Sequence, residues 1–158
     1  MILQTDTREQ SPLEFPKVAG VEVRTVMLSV GDYAALHRAE GKDVPDLSVV
    51  ERKGIGDLFH AFTANYDAER AKILKAKELG LTYILAIEAS FTEVLKGHAY
   101  WKDGELHESK KSGLAMIRQL MTLQRKYGIQ VVFCQSRREM AMWIQEYFLA
   151  SERVHPDV

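Results

Sequence analysis

The stretch Val49-Val50-Glu51-Arg52-Lys53-Gly54-Ile55-Gly56-Asp57 ends an apolar run in an acid, a guanidinium and an amine, and a further acid follows. A strand alternates its side chains, so Glu51 and Lys53 share one face and Arg52 takes the other. A carboxylate there can hold a divalent metal. An ammonium beside it can polarise a water or neutralise a scissile phosphate. Upstream, Gly31-Asp32-Tyr33 follows the run Val26-Met27-Leu28-Ser29-Val30, and Asp6-Thr7-Arg8-Glu9 lies near the start. Two acids on separate strands plus an acid-x-Lys is the ligand set of metal-dependent phosphodiester cleavage.

A phosphodiester resists hydroxide because its own charge repels the attacker. A bound Mg²⁺ or Mn²⁺ offsets that charge and supplies a nucleophile at neutral pH. Asp32 and Glu51 are the principal metal ligands expected, with Asp6 completing the site. Lys53 is expected beside the attacking water, either offsetting phosphate charge or, with a lowered pKa, acting as base. Arg52 pairs with Asp57 or Asp6, or grips a phosphate. Asp57 caps a helix, orders Arg52, or does both. Arg8 is a phosphate clamp or one half of a surface pair; Glu9 and Glu88 are secondary candidates. His37, His60, His98, His107 and His155 show no metal-ligand spacing. Tyr100 and Trp101, beside Lys102, either stack on unpaired bases or belong to a partly buried hairpin.

The elements that must position these groups follow from periodicity. Ile2 to Thr5 reads as a strand leading into Asp6, and Pro12, Pro16 and Gly20 mark a loop or a short helix. Strands over Val21–Val30, Asp32–His37 and Leu47–Arg52, with a polar turn at 38–46, make an antiparallel meander. Asp57 is placed to cap a helix carrying Leu58, Phe59 and Phe62, and Asp67 a second one running to Leu79 and stopped by Gly80. Thr82 to Ile87 is a strand apolar on both faces. Residues 97–110 form a loop or small hairpin. Gly113–Tyr127 is a helix with Leu114, Ile117, Leu120 and Met121 as its stripe, Ile129–Cys134 a strand, and Arg137–Ala150 the last helix. Helix and strand alternate after residue 56, which predicts parallel pairing and a three-layer α/β domain.

With 158 residues, 46% apolar and 27% charged, the chain is expected to form one domain over 1–158. There is no apolar run long enough for a membrane span and no basic-then-apolar leader, which predicts a cytoplasmic or nucleoid-associated protein. A single cysteine, Cys134, excludes an internal disulfide and a cysteine-rich zinc site. Net charge is −1, and basic clusters at Lys72, Lys75 and Lys77, at Lys110 and Lys111, at Arg137 and Arg138, and at Arg24, Arg38 and Lys42 read as solvated surface. The last helix carries Met140, Trp143, Ile144, Tyr147 and Phe148 as one stripe, widened by Ala141, Met142, Leu149 and Ala150. This is either a wide core contact or a face for a second chain.

The chain resembles the nuclease domain of XPF-type (ERCC4-like) structure-specific endonucleases. Their signature is G-D followed, after a turn and a strand, by E-R-K-x-x-x-D. Gly31-Asp32 and Glu51-Arg52-Lys53-x-x-x-Asp57 match it in order and spacing, and Asp6-Thr7-Arg8-Glu9 matches the family's D-x-R-E. The strands ending Ile84-Leu85-Ala86-Ile87-Glu88 and Val131-Val132-Phe133-Cys134-Gln135-Ser136 also fit. The resemblance implies a restriction-endonuclease-like fold, with a mixed central sheet flanked by helices. It implies a divalent-metal endodeoxyribonuclease acting on branched or flapped DNA, in repair or recombination. It implies a homodimer formed through the last helices, over Met140, Trp143, Ile144, Tyr147 and Phe148. Arg70, in the second helix, is the candidate for a phosphate-binding arginine that the family places at that helix's start. The DNA-gripping helix-hairpin-helix module of the family is expected to be missing or to lie on another chain. The rivals are a non-catalytic DNA-binding partner, which would tend to lose Asp32, Glu51 or Lys53, and a Holliday-junction resolvase-like nuclease, against which Arg52 and Asp57 argue.

Overall fold

Short apolar runs separated by Gly and Pro set the strands, and most lie where the alternation places them. The computed structural model describes residues 1–154. In chain order the elements are β1 (Ile2–Asp6), β2 (Glu22–Val26), β3 (Tyr33–Ala39), β4 (Lys42–Pro45), β5 (Ser48–Gly54), α1 (Ile55–Ala61) and α2 (Tyr66–Glu78). There follow β6 (Thr82–Glu88), α3 (Phe91–Lys96), β7 (Ala99–Lys102), β8 (Glu105–Glu108), α4 (Gly113–Tyr127), β9 (Gln130–Cys134) and α5 (Arg137–Val154). A seven-stranded mixed sheet runs β2-β1-β3-β5-β6-β9, with β4 added to β3, while β7 and β8 form a separate hairpin.

Helices cover both faces of the sheet, which is the three-layer arrangement the alternation predicts. On one face Val49, Leu85 and Ile87 pack against Leu58 and Phe59 of α1, Ile73 and Ala76 of α2, Val94 of α3, and Met116 and Leu120 of α4. On the other, Val50, Ile84 and Ala86 pack against Met140, Ile144 and Phe148 of α5, with Leu13 closing the layer. Thus Val49, Glu51 and Lys53 look toward α2, and Val50 and Arg52 toward α5.

The N-terminal half departs from a simple meander. β2 pairs in parallel with β1, and β3 pairs antiparallel with β1's other edge. The Pro-containing connection from 7 to 21 is the cause. It is long enough to cross the sheet face, where Phe15 meets Tyr33 edge-on at 5.5 Å, so β2 starts from the same end as β1. The polar turn at 38–46 contains β4, folded back on β3 through Glu40 and Gly41, both at positive φ. Between Leu36↔Pro45 and Tyr33↔Val50 the register slips by two residues. This bulge at Asp46–Leu47 lets β5 leave β3 and run parallel to β6.

Helix starts also differ from expectation. Gly54 is the N-cap of α1 and Asp57 its third residue, because the strand runs into the helix without a turn. Asn65, not Asp67, sits at the N-cap of α2. In α4 the buried stripe is Met116, Ile117, Leu120 and Leu123, while Leu114 and Met121 face solvent. In α5, Met140, Ile144 and Phe148 are fully buried in the chain's own core, so they are not an interface. Trp143 and Tyr147 stack at 5.1 Å and stay partly exposed.

Candidate active site

Gly31 creates the first ligand position. Its φ of +78° turns the chain after Val30, and an added Cβ would lie 2.3 Å from Val49 Cγ2. Only glycine combines that backbone with that approach. The turn lays Asp32 against the end of β5. The Asp32 amide donates to the Val50 carbonyl at 2.8 Å, and the Asp32 carbonyl accepts from the Asp6 amide at 2.8 Å. Asp32 Oδ2 accepts the Arg52 amide at 2.8 Å.

Glu51 lies on the α2 face and is 3% exposed. Its Oε1 accepts from Lys53 Nζ and from Lys72 Nζ, both at 2.6 Å. Each amine also lies 3.2 Å from Glu69 Oε1. Two carboxylates and two ammoniums therefore form a closed four-charge cluster beneath α2. Glu69 and Lys72 did not figure among the residues expected to do chemistry. Their i,i+3 spacing, one buried turn of α2 laid over a strand, was the available signal. Glu69 Oε2 and the Tyr83 hydroxyl are buried without a hydrogen-bond partner among the described residues.

Electrostatics separate these groups. Burial, then repulsion from Glu51, pushes the Asp32 carboxyl up to about 7. Burial alone would lower Lys53, but Glu51 and Glu69 hold its ammonium above the ordinary lysine value. Lys53 is thus a standing positive charge, which weighs against the base role.

Asp6, Arg52, Asp57 and Arg70 have surroundings that differ from those expected. Asp6 is 2% exposed and spends both oxygens inside the protein. Its Oδ1 accepts from the Arg8 amide at 2.8 Å and Nε at 2.7 Å, and its Oδ2 from Arg8 at 2.9 Å and the Leu28 amide at 2.7 Å. That arrangement is a structural clamp, in which each oxygen already accepts two protein donors. Arg52 pairs with neither Asp57 nor Asp6. On the α5 face it meets Glu88 at 2.8 Å, Glu9 at 3.4 Å and the Ser11 carbonyl at 3.1 Å. The two acids held as secondary candidates are its partners, because strand alternation turns Arg52 away from Glu51. Asp57 is exposed, in the first turn of α1. Arg70 bonds the Tyr127 hydroxyl at 3.0 Å, apart from the cluster.

The Arg8 guanidinium is 64% exposed and lines a cavity of about 410 Å³ with Asp32, Glu51, Lys72 and Lys75. His37 pairs with Asp46 at 2.8 Å, and His98, Tyr100 and His107 stack in sequence along the hairpin. His155 lies outside the described residues. No helix among them is long and apolar enough to cross a membrane.

A divalent ion can be tested against this donor set. Among the described residues no three Asp, Glu, His or Cys side chains form a ready cage. Mg²⁺ needs less, since it keeps several waters and takes one or two carboxylates. Asp32 Oδ1 and Glu51 Oε2 take no protein donor among the described residues, unlike Asp6. The donor set fits a two-carboxylate site.

A mixed sheet between helical layers, with an acid-x-Lys strand end facing a second acid, is the restriction-endonuclease-like core. The chain belongs to the ERCC4 domain family, whose model matches residues 5–147. It is similar in fold to XPF from Aeropyrum pernix, with a TM-score of 0.66 and 19% identity over 99% of this chain and 68% of that one. The same protein in complex with DNA gives a TM-score of 0.64 at 20% identity, over 99% and 68% of the two chains. No curated protein matches.

Proposed function

We propose that the chain is a divalent-metal-dependent DNA endonuclease that cuts branched or flapped duplexes, in repair or recombination. The observation that carries this reading is the meeting of Asp32 and Glu51 at one open cavity, each with an oxygen free, with Lys53 locked beside them. Family membership and the DNA-bound neighbour support DNA as the substrate.

Asp32 and Glu51 would hold Mg²⁺ or Mn²⁺ through their free oxygens. When bound, the ion supplies charge neutralisation and a water acidic enough to attack phosphorus. Lys53 keeps its proton and offsets charge that builds on the phosphate. Arg8, held flat by Asp6, presents its outer edge to a neighbouring phosphate. Asp6, Arg52 and Glu88 position the strand ends. Self-association belongs on the outward side of α5, around Met142, Trp143 and Tyr147.

The test is cleavage of end-labelled flap, splayed-arm, four-way and plain duplex DNA, in Mg²⁺ or EDTA. Metal-dependent cutting is expected, with branched substrates preferred. Asp32→Asn and Lys53→Met should remove it while circular dichroism stays unchanged. Cutting that persists in Asp32→Asn would sink the site. Folded protein that binds these substrates but cuts none would make it a DNA-binding partner.

A further inference from the structure

Lys72 is the one member of the four-charge cluster with freedom to leave. Lys53 is enclosed, its side chain 12% exposed, whereas Lys72 lies on the cavity wall with its side chain 40% exposed. Both ammoniums press on Glu51 Oε1 at 2.6 Å. A dication arriving at the other Glu51 oxygen would face two positive charges within a few ångströms, beside a carboxylate that is itself 3% exposed. One must withdraw, and only Lys72 has a solvent path. Glu69 limits how far it goes. Glu69 Oε1 lies 3.2 Å from the Lys72 ammonium, three residues away on the same helix, and keeps it at the cavity.

We infer that Lys72 is a resident counter-ion of Glu51, displaced when a divalent ion binds. This rests on the metal-dependent reading above. Lys72 thereby weakens divalent binding, and it keeps Glu51 neutralised and folded inward until an ion arrives. Lys75 provides the comparison. It lines the same cavity one turn on, but its ammonium pairs with Glu78 at 3.1 Å rather than with Glu51.

The experiment is Mn²⁺ binding to the whole protein, read from the electron paramagnetic resonance of free Mn²⁺, with no DNA present. Lys72→Met should bind Mn²⁺ about tenfold more tightly than wild type, or better. Lys72→Gln is a second neutral variant should the first not fold, and Lys72→Arg, which keeps the charge, should bind as wild type does. Lys75→Met, an equal change in net charge, should shift binding less than about twofold because its charge is screened. Equal binding by wild type and Lys72→Met, with loss in Asp32→Asn, would overturn the role of Lys72 alone. Equal tightening in Lys75→Met would do the same. Binding unchanged in Asp32→Asn, or absent from every protein, would overturn the metal site and this inference together.

Discussion

At the scale of single residues, the acids divide by what already holds them. Asp32 and Glu51 each keep an oxygen free, while Asp6 is saturated by Arg8 and Leu28. The hydrogen bonds from Arg8, opposed in part by burial, hold the Asp6 carboxyl at about 2, below its ordinary 3.8. A depressed carboxyl stabilises the fold above its unfolded pKa, and that contribution fades as pH falls from 3.8 through about 2. Solvent around the exposed Arg8 trims it to about 1 kcal/mol at neutral pH. Asp6→Asn should therefore lower unfolding free energy near neutrality by about that much and flatten the acid limb of the stability profile, as measured by urea unfolding across pH. An unchanged acid limb would remove Asp6 from the clamp. The identity of Glu51, Asp32 and Lys53 as neighbours was legible from motif spacing. The occupancy of each oxygen was not, because it depends on where the Leu28 amide and the α2 side chains arrive from distant sequence.

At the scale of elements, the end of β5 does two jobs because its side chains alternate. Glu51 and Lys53 join α2 on one face, and Arg52 ties β6 to the Glu9–Ser11 segment on the other. Arg137 completes the second network through the Ser11 carbonyl at 2.9 Å and Glu88 at 3.9 Å. Alternation foretold the split but not the partners, which come from chain segments far apart in sequence. Helices α1, α2, α4 and α5 and the buried strands were well placed by periodicity, whereas the short α3 was not foreseen. β2 and β4 were not, since pairing direction depends on the path of a connection and not on the pattern within a strand. The turn before Asp32 has its own test. Gly31→Ala forces an L side chain into positive φ and against Val49, at a cost of about 1–3 kcal/mol for the backbone alone. The variant should lose more cutting activity than its folded fraction explains, because Asp32 is displaced as the clash relaxes. Equal losses would mean the turn serves stability only.

At the scale of the whole molecule, α5 separates into an inward core stripe and an outward face. Periodicity showed the helix as a wide apolar surface, and only its docking on the sheet decides which residues remain. Ile144→Asp buries an unpaired charge and should unfold the protein. Met142 is 48% exposed, and Met142→Asp should leave the fold intact while shifting sedimentation from dimer to monomer. A wild-type protein that sediments as a monomer would withdraw the α5 face as an interface. The sheet itself is joined at its middle by little: β3 and β5 share a single paired position, Tyr33↔Val50, beside the Asp32 amide bond to Val50. On one side of that seam lies the ladder of β1, β2 and β3, and on the other the ladder of β5, β6 and β9. Asp32 belongs to the first and Glu51 to the second. Any ligand that touches both carboxylates also bridges the two ladders, so its binding stabilises the assembled sheet by mass action.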